Sequence, residues 1–470
     1  MSVVVADTQT GKVETYIGSQ DFFDIENKGQ VNGVIAPRST GSILKPFLYA
    51  LSIDDGLLLP DTKIKDIPTY FGAFSPENSD KKYNGLISMK EALVRSLNIP
   101  AVLTLNEYGV YDFYSFLKKA GLSTLFRNSD EYGLTLILGG AEANLFEITS
   151  LYSSLGRLGK FTNLKIIPSE QNQEEKQLIS EGASNLILNV LKDLKRPDAE
   201  YYWQQYENQF KLAWKTGTSF GNRDAWAVGV NPKWTVGVWV GNFTGETNAN
   251  LAGATSAGSL MFDIFNYLPQ KSKQKWFKNE FNNFEMTEIC QDTGYKAGSS
   301  CTKKLIVEKP IAAKNIKICP YHKTIFVNND EKYQVCSLCW NKDDLKKKNF
   351  LIYTPDTIDY LRKRGNIINN IPVHNPSCKS IQSKNLLKII YPTNNSKILL
   401  PKDIGGVLQK INIKVAHLNE NIKVYWYIDE KFLGQTQATH SKAIELKSGF
   451  HKISVIDENG NQDSCSIQIF

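Results

Sequence analysis

Three short groups of residues follow one another along this 470-residue chain: Ser42-Ile43-Leu44-Lys45, Ser96-Leu97-Asn98 and Lys215-Thr216-Gly217-Thr218. Together they hold what acyl transfer to a serine requires. A serine hydroxyl is a poor nucleophile until an adjacent base takes its proton. A lysine one helical turn further on lies on the same face, within reach of that hydroxyl. Lys45 can act as the base only if burial, or a second cation such as Lys215, lowers its pKa. Ser96 is placed to shuttle the proton to a leaving amine, and Asn98 to hydrogen-bond the backbone of a peptide substrate. On a strand, Lys215 with a hydroxyl at Thr216 or Thr218 would hold a substrate carboxylate. Gly217 would permit close approach. The N–H of Thr218, with the helix N-terminus under Ser42, would complete an oxyanion hole. No cofactor is called for, and no metal is assigned to these residues.

Each group is weak alone. Ser-x-x-Lys also occurs at Ser79, Ser115, Ser272 and Ser300, Ser-x-Asn at Ser383, and Lys447-Ser448-Gly449 imitates the third group. Bland readings exist for each member: Ser42 as a helix N-cap, Lys215 as an edge-strand lysine, Asn98 as a cap before Ile99-Pro100. Order and spacing separate the set from its copies. Only Ser42 opens an apolar helical stretch and is followed by both other groups within one domain-sized segment.

The elements that must position these residues are readable from periodicity. Val3-Val4-Val5-Ala6 and Val13-Glu14-Thr15-Tyr16, around Thr8-Gln9-Thr10-Gly11, predict a hairpin. Gly41–Ile53 has helical spacing, and so do Ser88–Tyr108, Val110–Ala120, Asn144–Leu158 and Ala183–Leu194. From Leu212 to Phe243 the pattern is β, and Gly253–Tyr267 reads as a closing helix. This is an α+β domain over residues 1–268. Residues 269–385 form a basic, weakly periodic connecting region carrying six of the seven cysteines. Residues 386–470 read as short alternating strands of a small β-sandwich.

The three groups match the set found in penicillin-binding proteins and class A β-lactamases. The surrounding text resembles class A penicillin-binding proteins of the 1C type. The stretches that carry the resemblance are Ala36-Pro37-Arg38-Ser39-Thr40-Gly41-Ser42, Lys45-Pro46-Phe47, Arg95-Ser96-Leu97-Asn98-Ile99-Pro100-Ala101, Leu138-Gly139-Gly140-Ala141, Arg223-Asp224-Ala225-Trp226 and Val238-Trp239-Val240-Gly241-Asn242. The resemblance implies a penicillin-binding transpeptidase / serine β-lactamase-like fold, an antiparallel sheet flanked by helices, with a C-terminal β-domain. It implies a peptidoglycan D,D-transpeptidase with stem peptides ending in D-Ala-D-Ala as substrates and β-lactams as covalent inhibitors. A possible D,D-carboxypeptidase side activity goes with it. The implied place is the cell envelope, on the periplasmic or outer face of the cytoplasmic membrane. Full-length members carry a membrane anchor and a glycosyltransferase domain that this sequence lacks, so the expected partner is a separate glycosyltransferase or a missing N-terminal domain.

Two rival readings compete with this one. A serine β-lactamase needs a base for a deacylating water, typically in a Glu-x-x-x-Asn pentad. Between Asn98 and Lys215, Glu131 and Glu142 are followed by Thr135 and Phe146, so neither opens one; Glu181-Gly182-Ala183-Ser184-Asn185 has the spacing but runs into the helical periodicity of Ala183–Leu194. A non-catalytic β-lactam sensor or wall-binding module would not need the complete set of Ser42, Lys45, Ser96, Asn98, Lys215 and Gly217. Net charge is +7, and 21 Lys and Arg stand against 11 Asp and Glu between residues 271 and 385. That run reads as a solvated face, and no nucleic-acid-binding signature accompanies it. Cys319-Pro320-Tyr321-His322 with Cys336-Ser337-Leu338-Cys339 has the look of a four-ligand zinc site. In an exported protein disulfides are the preferred reading, with Cys290 and Cys301 closing a small loop.

Overall fold

A strand covered on both faces needs no polar alternation, and Val3-Val4-Val5-Ala6 has none. In the computed structural model this run is strand β1 (Ser2–Asp7), buried along its whole length. The structure describes residues 1–71, 74–167, 175–196, 210–269, 276–277, 281–339, 344–366, 371–378, 386–399, 410–419, 421–437 and 439–470. The copies at Ser272 and Ser383 lie outside them.

The chain reverses where the Asp7 carboxylate accepts from the Gln9 and Thr10 N–H groups and returns as β2 (Val13–Ile17). Strands β3 (Ala213–Thr218), β4 (Asp224–Val230) and β5 (Trp234–Gly241) supply the rest of the sheet. Its order is β2-β1-β5-β4-β3, with all pairings antiparallel. The helices are α1 (Lys45–Asp54), α2 (Met89–Val94), α3 (Asn98–Tyr108), α4 (Val110–Lys119), α5 (Leu145–Gly156), α6 (Glu181–Lys192) and α7 (Ser259–Tyr267).

Helix α5 covers one face of the sheet, so close that a Cβ on Gly237 would fall 2.0 Å from the Thr149 hydroxyl. Helix α7 covers the other face, with Phe265 and Met261 against Gly229 and Phe262 edge-on to Trp214 at 5.0 Å. Lys215 pairs with Val228 and Trp214 with Gly229. Because side chains alternate along a strand, Lys215 and Gly217 take the α5 face, while Trp214, Thr216 and Thr218 take the α7 face.

Two helical expectations are corrected. The stretch expected to be helical from Gly41 becomes helix only at Lys45. Ser42 lies in the turn before it, where the Lys45 N–H donates to the Ser42 carbonyl at 3.3 Å. Helix α1 is also buried from Lys45 through Ile53, a central rod rather than an amphipathic one. Ser88–Tyr108 is broken into α2 and α3 at Ser96, which adopts φ +55. That left-handed position turns the chain sharply, and no propensity scale signals it.

The chain forms two compact units. The helices and sheet above belong to the first, which comprises Met1–Ile64, Ser88–Lys296 and Leu305–Ile318. The second comprises Lys65–Ile87, Ala297–Lys304 and Cys319–Phe470. Within it, β6 (His322–Val327), β7 (Tyr333–Gln334), β8 (Lys346–Leu351) and β9 (Val373–His374) form a small sheet in the order β8-β6-β7-β9. Helix α8 (Pro355–Lys363) is tied to the 65–87 segment by Lys65–Asp356 at 2.8 Å and by the Tyr360 hydroxyl donating to the Tyr83 carbonyl.

The C-terminal strands form two sheets. One comprises β10 (Leu387–Tyr391), β12 (Ile411–His417) and β15 (Ser441–Ile444). The other comprises β11 (Ser396–Ile398), β13 (Lys423–Ile428), β14 (Lys431–Gln437), β16 (Gly449–Asp457) and β17 (Gln462–Ile469). Their inward residues, among them Ile413, Val415, Val424, Trp426, Ile453, Val455 and Ile467, share one core. This is the expected small sandwich, made legible by strict alternation such as that of Lys423–Ile428. Among the described residues, no helix is long and apolar enough to cross a membrane.

Candidate active site

Strand β3 is an edge of the five-stranded sheet, so among the described residues one side of its backbone has no strand neighbour. The Thr40–Ile43 turn lies along that side. A Cβ on Gly41 would stand 2.6 Å from the Thr218 carbonyl oxygen, and one on Gly217 would stand 2.6 Å from the Thr40 carbonyl oxygen. Gly41 also needs φ +52, a conformation cheap only for glycine. These two glycines, one on each side of the seam, bring Ser42 against the Lys215–Thr218 strand.

Four further contacts fix the turn. The Ser39 hydroxyl donates to the Gly139 carbonyl at 2.7 Å, and the Thr40 N–H donates to the Ala141 carbonyl at 3.1 Å. The Trp226 indole donates to the Ser39 carbonyl at 2.8 Å, and the buried Tyr152 hydroxyl donates to the Ile43 carbonyl at 2.7 Å.

Ser96 lies between two lysines, both 0 % exposed. Lys45 Nζ donates to the Ser96 carbonyl at 2.8 Å, the Leu97 carbonyl at 3.0 Å and Asn98 Oδ1 at 2.8 Å. Lys215 Nζ donates to Ser96 Oγ at 2.7 Å and to the Thr216 carbonyl at 2.8 Å. Burial, and then the charge of Lys215, push the Lys45 amine well below the ordinary lysine range. Burial alone pulls Lys215 down to about 7. Desolvation dominates both because an ammonium loses its hydration on entering the interior. The left-handed φ of Ser96 aims its carbonyl at one lysine and its hydroxyl at the other, a strained geometry of the kind held where function requires it.

The fold thus gathers Ser42, Lys45, Ser96, Asn98, Lys215 and Gly217, with Ser42 half-buried. The pair of threonines is placed less simply than adjacency implied. The Lys215 ammonium meets the carbonyl of Thr216, whose side chain leaves on the opposite face, beside Gly253. Thr218 is exposed, and its Oγ1 accepts from the Gly253 N–H at 3.0 Å. Its own hydroxyl hydrogen is left to donate. Residue pattern alone missed Tyr152, whose helical spacing marks only a core position. It also gave no role to Gly139, Ala141 or Trp226, although all three lie in stretches singled out above.

Glu131 folds back on the Asn128 N–H at 3.4 Å, and Glu142 pairs with Arg127 at 3.0 Å. The cysteines sort differently from expectation. None of the seven forms a disulfide. Cys319 and His322, 3.5 Å apart, do not share a cluster with Cys336 and Cys339, whose neighbours are His374 and Cys378. Sequence spacing could not show this, because His374 and Cys378 arrive through a distant strand pairing.

This seam of serine turn, lysine pair and edge strand lies on the antiparallel sheet of an α+β domain. The chain belongs to the penicillin binding protein transpeptidase domain family, whose model matches residues 1–266. Residues 377–469 match the Penicillin-Binding Protein C-terminus Family. Among curated relatives, penicillin-binding protein 1C of Escherichia coli (strain K12) is 38% identical over 272 residues, covering 58% of this chain and 35% of that protein. Penicillin-binding protein 1F of Bacillus subtilis (strain 168) is 30% identical over 278 residues, covering 56% of this chain and 38% of that protein. The chain therefore spans a little over a third of the length of these relatives. The crystal structure of penicillin-binding protein 1A from Haemophilus influenzae shares the fold, with a TM-score of 0.52 at 18% identity, over 67% of this chain and 54% of that one.

Proposed function

We propose that this chain is a serine D,D-transpeptidase of peptidoglycan cross-linking, with Ser42 as nucleophile. The observation that carries the reading is Ser96 gripped between two buried lysines, beside a serine turn held to an edge strand by Gly41 and Gly217. In its neutral form Lys45 takes the Ser42 proton as Oγ adds to the carbonyl of the penultimate D-alanine of a stem peptide. The N–H groups of Ser42 and Thr218 stabilise the resulting oxyanion. Collapse of the intermediate breaks the peptide bond. The leaving D-alanine amine takes its proton through Ser96 Oγ, which Lys215 supports, and the serine ester remains. Asn98 orients the stem backbone, while Lys215 and the Thr218 hydroxyl hold the terminal carboxylate. An amine of a neighbouring stem then attacks the ester; water in its place gives D,D-carboxypeptidase activity.

This chemistry belongs to the periplasmic side of the envelope, where donor and acceptor stems lie. Residues 1–268 are read as the catalytic domain, 269–385 as the connecting region and 386–470 as the C-terminal β-domain. A separate or contiguous glycosyltransferase would supply the glycan strands. The β-lactamase reading is disfavoured because Glu131 and Glu142 are engaged elsewhere, and Glu181, which opens the one Glu-x-x-x-Asn pentad between Asn98 and Lys215, sits in the first turn of α6 and accepts from the Asn283 amide at 2.8 Å. A sensor would not need a depressed lysine beside its serine.

Intact mass spectrometry with penicillin tests the proposal. One penicilloyl adduct per chain, mapped to Ser42 and stable over many minutes, is expected. Rapid turnover of the adduct would make the protein a β-lactamase. No adduct would make it a binding module, and an adduct on another serine would refute the nucleophile.

A further inference from the structure

A four-cornered ligand cage stands in the second unit, built from residues that the acyl-transfer chemistry does not use. Cys336, Cys339, His374 and Cys378 bring one ligand atom each to within 4.8 Å of one another. Strand pairing builds the cage. β7 and β9 run parallel, with Gln334 opposite His374, and are clamped by the Asn375 N–H on the Gln334 carbonyl and by the Gln334 amide on the Pro372 carbonyl. Just past β7 the chain makes the knuckle Cys336-Ser337-Leu338-Cys339, in which the Cys339 N–H donates to the Cys336 carbonyl at 2.9 Å. The Cys336 N–H points at Cys339 Sγ at 3.3 Å, the kind of donor a thiolate accepts. Just past β9 a second turn, closed by the Cys378 N–H on the Asn375 carbonyl at 2.9 Å, brings Cys378 back beside His374.

Three of the six ligand–ligand distances match the edges of a metal tetrahedron, and the others lie within 4.8 Å. Metal–sulfur bonds of about 2.3 Å and metal–nitrogen bonds of about 2.0–2.1 Å imply tetrahedral edges of roughly 3.8 Å between sulfurs and roughly 3.6 Å between sulfur and nitrogen. The observed separations are 3.8 Å for Cys336–Cys339, 3.5 Å for Cys336–Cys378 and 3.4 Å from Cys339 Sγ to His374 Nε2. A disulfide would need its sulfurs at about 2.05 Å. Three sulfurs also compete for any such bond, so one pairing would strand the third.

We propose that Cys336, Cys339, His374 and Cys378 hold one structural zinc ion. Three thiolates and an imidazole suit zinc among the divalent metals. A multi-iron cluster would need its ligands spread more widely. All four corners come from the protein, so the site is closed and offers no position to a substrate. The surroundings give the ion its role. Among the described residues from 319 to 378, the buried apolar side chains are only Cys319, Val327, Val335, Pro355, Ile358 and Cys378. A core that small is commonly stapled by a metal or by disulfides. Here the ion ties the knuckle after β7 to the segment that leads into the C-terminal sandwich.

The test is elemental analysis of the full chain, purified under reductant without chelator. It compares wild type, the double variant Cys336→Ser/Cys378→Ser, and His374→Cys. The double variant is expected to carry one zinc per chain fewer than wild type, and His374→Cys to keep the wild-type count. Metal held elsewhere, for instance at Cys301, Cys319 and His322, cancels in the comparison. Equal zinc in wild type and double variant would overturn the assignment, and so would a different metal lost in zinc's place. If the double variant does not fold, cobalt loading of wild type and His374→Cys decides. Tetrahedral thiolate bands that strengthen when a fourth sulfur replaces the imidazole support the site. Identical spectra from the two proteins would overturn it.

Discussion

Replacing Gly41 by alanine tests whether the seam between the serine turn and β3 sets the reaction geometry. The new Cβ would lie 2.6 Å from the Thr218 carbonyl oxygen and 2.8 Å from Thr218 C and N. All three are backbone atoms, so no rotamer change relieves the overlap. Restoring ordinary contact near 3.4 Å requires the turn and the strand to separate by roughly 0.6–0.8 Å. A displacement of 1 Å in a reacting centre costs on the order of 10²-fold in rate, so acylation should slow by about 10- to 100-fold, or about 1.4–2.8 kcal/mol. The left-handed φ of +52 adds about 1–2 kcal/mol of lost stability. The assay is the second-order rate of labelling by a fluorescent penicillin, measured beside a thermal melt. Gly245→Ala is the control, because Gly245 has φ +80 but nothing within 4 Å of its Cβ position. It should lose comparable stability and keep its acylation rate. If Gly41→Ala acylates as fast as Gly245→Ala, the seam does not position Ser42.

Three other outcomes are expected. Lys45→Ala should slow acylation by about 10²–10⁴-fold, the range for a lost general base, and an unchanged rate in folded protein would remove Lys45 from that role. Tyr152→Phe leaves the Ile43 carbonyl without its donor and should cost about 1–3 kcal/mol of stability, read by denaturant melts; an unchanged midpoint would contradict it. Because burial holds Lys215 at about 7, its positive charge is lost as pH rises through neutrality. A substrate with a free terminal carboxylate should therefore outrun its amide by about 1.5–3 kcal/mol below pH 7, with the advantage shrinking above it, as kcat/KM ratios will show. The stability sign runs the other way: between pH 7 and the ordinary lysine range the unfolded chain binds the extra proton, so stability rises with pH. That rise should flatten in Lys215→Met.

The motif residues were legible in the sequence because each group is local, whereas the geometry was not, because its causes are distant in the chain. Spacing suggested Ser42 and Lys45 as a pair, but the turn that holds Ser42 departs from the expected helix, and the Lys45 ammonium donates to Ser96, Leu97 and Asn98. The shape of that turn depends on Gly217, on Tyr152 and on the Gly139–Ala141 segment. The alternation of Lys423–Ile428 announced its own buried face, and the sandwich followed. No comparable pattern announces φ +55 at Ser96, because a helical period says where side chains point and not where the backbone must break. The threonines make the same point from the other side. Thr216 and Thr218 look like neighbours of Lys215 in the sequence, yet the two-residue period of a strand sends them to the opposite face. A substrate carboxylate bound at this edge would therefore be approached by Lys215 from the α5 face and by Thr218 from the α7 face. Specificity for a terminal carboxylate then depends on β3 remaining the edge strand of the sheet, since a sixth strand paired along it would close the gap where the substrate has to enter.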